Sequence, residues 1–133
     1  MFKALALAAA VVSAVSAAVV PRASVPTTVG VENTGGYATY YYQDGAYGAC
    51  GNINPDSAHI VALQSARYDP SLCGHTVWIQ NPAKSITISA VIADNCPGCR
   101  NSESLDLSVG AWEALGQSEA DGTGIPINWW LVN

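Results

Sequence analysis

Two carboxylates, Asp94 and Asp106, stand twelve positions apart on either side of the turn Asn95-Cys96-Pro97-Gly98-Cys99. Paired carboxyl groups are the equipment of glycoside hydrolysis. One, with a raised pKa, protonates the leaving oxygen, and the other activates water or attacks the sugar. Asp106 lies between Leu105 and Leu107, where partial burial disfavours its charged form and suits it to hold a proton. Asp94 opens a turn whose amides compete for its oxygens, so turn stabilisation and a groove role are both open to it. Asp106 has a structural alternative too, as a tie between a helix start and the body of the fold. Flat aromatic faces for stacking sugar rings are plentiful: Tyr37, Tyr40, Tyr41, Tyr42, Tyr47, Trp78, Trp112, Trp129 and Trp130. Alternation along strands sends about half of them inward. Trp112 and one of Trp129 and Trp130 are expected in the core. Tyr40 or Tyr42, together with Tyr47, are the groove candidates.

The elements that must hold these residues are short. Ser85 to Ala93 alternates branched apolar with small or polar residues, the period of a half-buried strand that runs into Asp94. Further strands are predicted over 35–42, 59–64, 75–80 and 125–132 from their aromatic and β-branched content. Asp69-Pro70 marks an irregular turn. One short helix is predicted over 108–115, with Ser108 as its N-cap and Gly116 past its end. Five or six short strands with a single helix point to a closed or nearly closed barrel, which also removes exposed edges.

Met1-Phe2-Lys3 followed by the uncharged run Ala4 to Ala18 reads as a secretory signal peptide, residues 1–17, because the run is too short to span a membrane. Residues 18–34 read as a pro-segment or flexible N-terminal arm, and 35–133 as one small domain. Cys50, Cys73, Cys96 and Cys99 make an even set in a small exported chain, hence two disulfides, in any of three pairings. Cys96-x-x-Cys99 has zinc spacing, but no second close pair or suitably spaced histidine accompanies it, so no metal and no cofactor is expected. From Gly35 onward three basic residues face nine acidic ones, a formal balance of −6. That balance excludes nucleic acid and anionic membranes as partners and suits a neutral polymer.

Five motifs in order carry a resemblance: Gly36-Tyr37-Ala38-Thr39-Tyr40-Tyr41, Gly48-Ala49-Cys50-Gly51, Leu72-Cys73-Gly74, Val91 to Cys99, and Leu105-Asp106-Leu107-Ser108. With the final tryptophan-bearing strand, this set resembles the double-psi β-barrel family. That family includes the first domain of expansins, rare lipoprotein A-like proteins, barwin-like proteins and glycoside hydrolase family 45. The pattern is similar to that of small secreted fungal proteins of the loosenin-like group. The resemblance implies an all-β fold, a six-stranded double-psi β-barrel with one or two short helices, disulfide-stabilised, with an open polysaccharide groove. It assigns Asp106 the acid-like role and Asp94 the support of the groove, and places Thr39 and Tyr40 along it. It pairs Cys50 with Cys73, which leaves Cys96 with Cys99. The hydrolase relatives place their base just after the first strand. Asp44 is the carboxylate nearest that location here, and Tyr41-Tyr42-Gln43 beside it do not match their pattern. Bacterial expansins carry a tyrosine two residues after the first aspartate, where this chain has Cys96.

The expectation is therefore a secreted, extracellular, monomeric protein. It binds cellulose, chitin or another β-glucan and loosens it without hydrolysis, with weak endoglucanase or lytic transglycosylase activity as a third reading. The alternative on the same fold is an interaction protein whose partner is a cysteine protease or a host protein.

Overall fold

The computed structural model describes residues 23–133. The signal peptide expected over 1–17, and the first residues of the expected arm, lie outside them. Six strands appear in chain order: β1 (Asn33–Tyr41), β2 (Ile60–Gln64), β3 (Thr76–Asn81), β4 (Ile86–Cys96), β5 (Leu105–Ser108) and β6 (Ile125–Leu131). They close into one barrel in the order β1-β5-β2-β4-β3-β6. β1 with β5 and β2 with β4 run parallel, and the other four pairings are antiparallel. This is the double-psi β-barrel that the motifs implied. One α-helix, α1 (Val109–Ala114), and a 3-10 turn at Pro70–Leu72, capped by the Asp69 carboxylate, complete it. No helix among the described residues is long and apolar enough to cross a membrane.

Alternation builds the core. Ala38, Val61, Leu63, Val77, Ile79, Leu105, Leu107 and Ile127 point inward and are essentially inaccessible to water. Trp112 from α1 and Trp129 from β6 fill the centre, both fully buried. Their indole N–H groups reach the carbonyls of Ser118 (2.8 Å) and Glu103 (2.7 Å), so neither indole nitrogen is stranded. The four residues Leu105-Asp106-Leu107-Ser108 each have a separate task. The two leucines enter the core, Asp106 faces outward, and the Ser108 hydroxyl caps α1 by accepting from the amide of Ala111 (3.2 Å).

The N-terminal segment lies along the barrel. Val25 N–H donates to the carbonyl of Ala66 and Gly30 N–H to that of Leu131, both at 2.8 Å. Arg67, 5% exposed, donates to the carbonyls of Pro26 (2.9 Å) and Ser102 (2.8 Å) and pairs with Glu103 at 2.8 Å. A buried cation of this kind is tolerable because each nitrogen faces an oxygen.

The decisive irregularity is in β4. Val61 pairs with Ile92, but the next residue, Ala62, pairs with Asp94, so Ala93 is an extra residue in β4. A β-bulge of this kind shifts the side-chain alternation by one. Ala90 and Ile92 point into the core, and unbroken alternation would send Asp94 in after them. The bulge turns Asp94 outward instead. The loop after β1 then packs on the bulge. Cys50 N–H donates to the carbonyl of Ala93 (3.2 Å), and a Cβ added to Gly48 would stand 2.5 Å from that same oxygen. Cys50 is bonded to Cys73 and Cys96 to Cys99. The first bridge closes a long loop and stabilises by about 3 kcal/mol on chain-entropy grounds.

Gly48→Ala is therefore expected to lower stability by about 1–3 kcal/mol, because the bulge carbonyl has no flexible atom to move aside. Gly122→Ala, where an added Cβ meets nothing within 4 Å, serves as the control in the same denaturant titration. Equal midpoints for the two variants would refute the close approach at Ala93.

Candidate functional site

A row of four residues crosses the outer face of the barrel. Thr39 on β1 pairs with Asp106 on β5, Asp106 with Ala62 on β2, and Ala62 with Asp94 on β4. Residues directly opposite one another in a sheet point the same way, so all four side chains face one side. Ala62 has only a methyl group to place between the two aspartates. The strands that carry them lie two spacings apart, roughly 9–10 Å between backbones. An open trench of about 570 Å³ lies over this row. Tyr37 and Tyr41 of β1, the turn Cys96-Pro97-Gly98-Cys99 and Arg100 line it.

The two carboxylates differ in character. Asp94 is saturated with donors: Oδ1 accepts from the amides of Ala49 (2.7 Å) and Asn95 (2.8 Å), and Oδ2 from the Tyr41 hydroxyl (3.0 Å). Burial pushes the Tyr41 hydroxyl far above the usual phenol range, with the charge of Asp94 adding to it, so it stays a donor. Asp106 accepts from the Thr39 hydroxyl at 2.9 Å. Burial raises its carboxyl above the usual range. The Thr39 hydrogen bond opposes that shift, and repulsion from Asp94 adds to it. Asp94 is thus tied to backbone and phenol donors, while burial favours the protonated form of Asp106.

Thr39, Asp94 and Asp106 come together in the trench. Tyr40 does not line it: its side chain lies on the opposite face of β1, with its ring 5.2 Å from that of Trp112 and its hydroxyl on the carbonyl of Glu119. Tyr42 is 49% exposed and donates to the Glu119 carboxylate at 2.6 Å, also away from the trench. Tyr47 is 74% exposed in the loop after β1, where it bridges to Ile53. The trench tyrosines are Tyr37 and Tyr41 instead. Period two along β1 could have found them, since a groove-facing Thr39 commits positions 37 and 41 to the same face. Arg100 lines the trench as well. Its guanidinium sits 3.9 Å from the centre of the Tyr37 ring, a cation–π contact that no local sequence signal announces. The disulfides join the pairs that the resemblance implied, and Cys96–Cys99 shapes the trench wall. Among the described residues no group of side chains is arranged to hold a metal ion.

No family model matches the sequence, and no curated protein does. Solved structures do match. The Streptomyces papain inhibitor is 30% identical with a TM-score of 0.66, and the match covers 80% of this chain and 99% of that one. An aspartate-to-asparagine variant of Clavibacter michiganensis expansin, in complex with cellohexaose, is 32% identical with a TM-score of 0.64 over 77% of this chain. The match covers 51% of that expansin, so the present chain spans about half its length. Cerato-platanin 3 from M. perniciosa, at 16% identity and a TM-score of 0.54, shares the fold alone. With the closed six-stranded barrel and a 30% identical relative matched along nearly all of its length, this chain belongs to the double-psi β-barrel family.

Proposed function

We propose that the trench binds a chain of a cell-wall polysaccharide such as cellulose, chitin or another β-glucan, outside the cell, and loosens its packing without cleaving it. The observation that carries this reading is the inequality of the two trench acids. Hydrolysis needs a second carboxylate free to activate water or attack the sugar. Asp94 has both oxygens engaged by three donors, which tie the carboxylate to the loop after β1, to its own turn and to Tyr41 instead of leaving it to hold a water. Asp44 lies in a different pocket, beside Gly45 and Ile53. What remains is an acid disposed to hold a proton in an open trench lined by Thr39, Tyr37, Tyr41 and Arg100, suited to gripping sugar hydroxyls. The expansin complex with cellohexaose supports the same ligand class. Leader-like residues 1–17 and two disulfides support a secreted, loosenin-type protein.

A second reading has its own observation. The Streptomyces papain inhibitor is matched almost end to end, without the unmatched half of the expansin. On that reading a cysteine protease is the partner, and exposed loops such as the one bearing Tyr47 make the contact.

Three measurements test these readings. Depletion from solution by insoluble cellulose or chitin is expected for the wild type and is weakened in Asp106→Asn, while reducing-sugar release stays flat. Steady release abolished by Asp106→Asn would overturn the non-lytic reading. Burial of Asp106 also has a stability signature. Its folded pKa lies above its unfolded value, so ionisation costs stability as pH rises from the unfolded value through the folded one. Asp106→Asn removes that cost. The variant should melt with the wild type below about pH 4 and above it at pH 7, and a lower melting point at pH 7 would contradict a desolvated carboxyl. Stoichiometric inhibition of papain, unchanged in Asp106→Asn and lost in Tyr47→Ala, would favour the second reading.

A further inference from the structure

A second surface lies on the outer face of β3, β4 and β6, apart from the residues that line the trench. Trp78 on β3 stands directly opposite Trp130 on β6 and, on its other side, opposite Ser89 on β4. The next outward row is Asn128, Gln80 and Thr87, with the Asn128 amide donating to the Gln80 amide oxygen at 3.4 Å. Thr76 and Val91 continue the face beyond the tryptophans. The inward neighbours Val77, Ile79, Ala90, Trp129 and Leu131 are all buried, so alternation places this set outside. Trp78 is 39% exposed and Val91 39%, while Trp130 is half-buried and floors a shallow pocket beside Gly30.

The composition of this face is selective. The protein carries a net charge of −5, yet no charged residue stands among these outward positions of β3, β4 and β6. Glu32 is the single carboxylate at the pocket margin. Two tryptophans supply flat apolar area, and the positions around them are amides and hydroxyls that both donate and accept. That chemistry matches a polymer of uncharged sugars, with apolar ring faces and hydroxyl edges. Apart from Glu32 at its margin it carries no charge with which to pair a charged partner. The three-strand patch is also far smaller than the roughly 20–30 residues a side of a stable protein interface. All six strands are paired within the closed barrel, so the face has no free edge to which a strand could add.

We infer that Trp78 and Trp130 form a second carbohydrate-binding platform, which lies flat on the surface of an uncharged, insoluble polysaccharide. It acts independently of the trench.

The test compares wild type, Trp78→Ala/Trp130→Ala, Trp78→Tyr and Asp106→Asn for retention on microcrystalline cellulose and on chitin. Titration with soluble cellohexaose is assigned to the trench by its weakening in Asp106→Asn. The double variant should keep cellohexaose binding and lose about tenfold or more in affinity for the solid polymer. Trp78→Tyr, which keeps a ring, should retain most of that affinity. Should the double variant fail to fold by circular dichroism, Trp78→Ala alone carries the test. Wild-type retention in a folded Trp78→Ala/Trp130→Ala protein overturns the platform and leaves the trench reading intact. So does sedimentation of the wild type as a dimer that the double variant dissociates, because the face would then belong to a second copy. Failure of the wild type to bind either solid overturns the platform as well, and bound cellohexaose would then show the trench reading surviving without it.

Discussion

The single extra residue at Ala93 governs the rest of the molecule. Without it the alternation of β4 would carry Asp94 inward with Ala90 and Ile92, and the barrel would bury an unpaired carboxylate. With it, Asp94 joins Asp106 and Thr39 on one face across Ala62. A bulge frees backbone groups, and the loop after β1 satisfies them. Gly48 allows the close approach, Ala49 donates to Asp94, and Cys50 donates to Ala93 and is held by its bond to Cys73. The Gly-Ala-Cys-Gly motif is thus the complement of a defect two elements away, and the trench exists because the two fit.

Much of this was legible in the sequence, because it depends on local period. Alternation requires that one of the adjacent Trp129 and Trp130 turn inward, and Trp129 is the one that does, while Trp112 is buried from the inner side of α1. The Ser108 cap and the Gly116 stop follow from helix-end chemistry. Two features were not legible. β4 reads as ending at Ala93, because Asp-Asn-Cys-Pro-Gly has strong turn chemistry, yet it runs to Cys96. Its parallel partner β2 supplies pairs for Asn95 and Cys96 from about thirty residues away, and long-range pairing outweighs a local turn preference. Likewise β5 is only four residues long, and both of its neighbours come from distant parts of the chain. Tyr40 illustrates the cost of setting period aside. It neighbours Thr39 in sequence but faces Trp112 in space.

The three basic residues after Gly35 explain why so acidic a chain holds together without a positive surface. Arg67 is buried over Trp129 and pinned by Glu103, whose carboxyl is held low chiefly by the Ser102 hydroxyl and also by this arginine. Lys84 reaches the carbonyl of Gly116 just past α1, where a cation complements the helix end. Arg100 lies over Tyr37 in the trench wall. Each cation is engaged in a local contact.

The division of the four tryptophans has an optical consequence. Trp112 and Trp129 sit in a dry interior with their indoles anchored to carbonyls, and Trp78 and Trp130 lie at the boundary with water. Emission from the first pair belongs at shorter wavelengths and emission from the second at longer ones. The native spectrum is therefore a composite whose red side can be quenched selectively by a soluble collider. The molecule carries its own two-channel reporter, one channel for the integrity of the barrel and one for what happens on its outside.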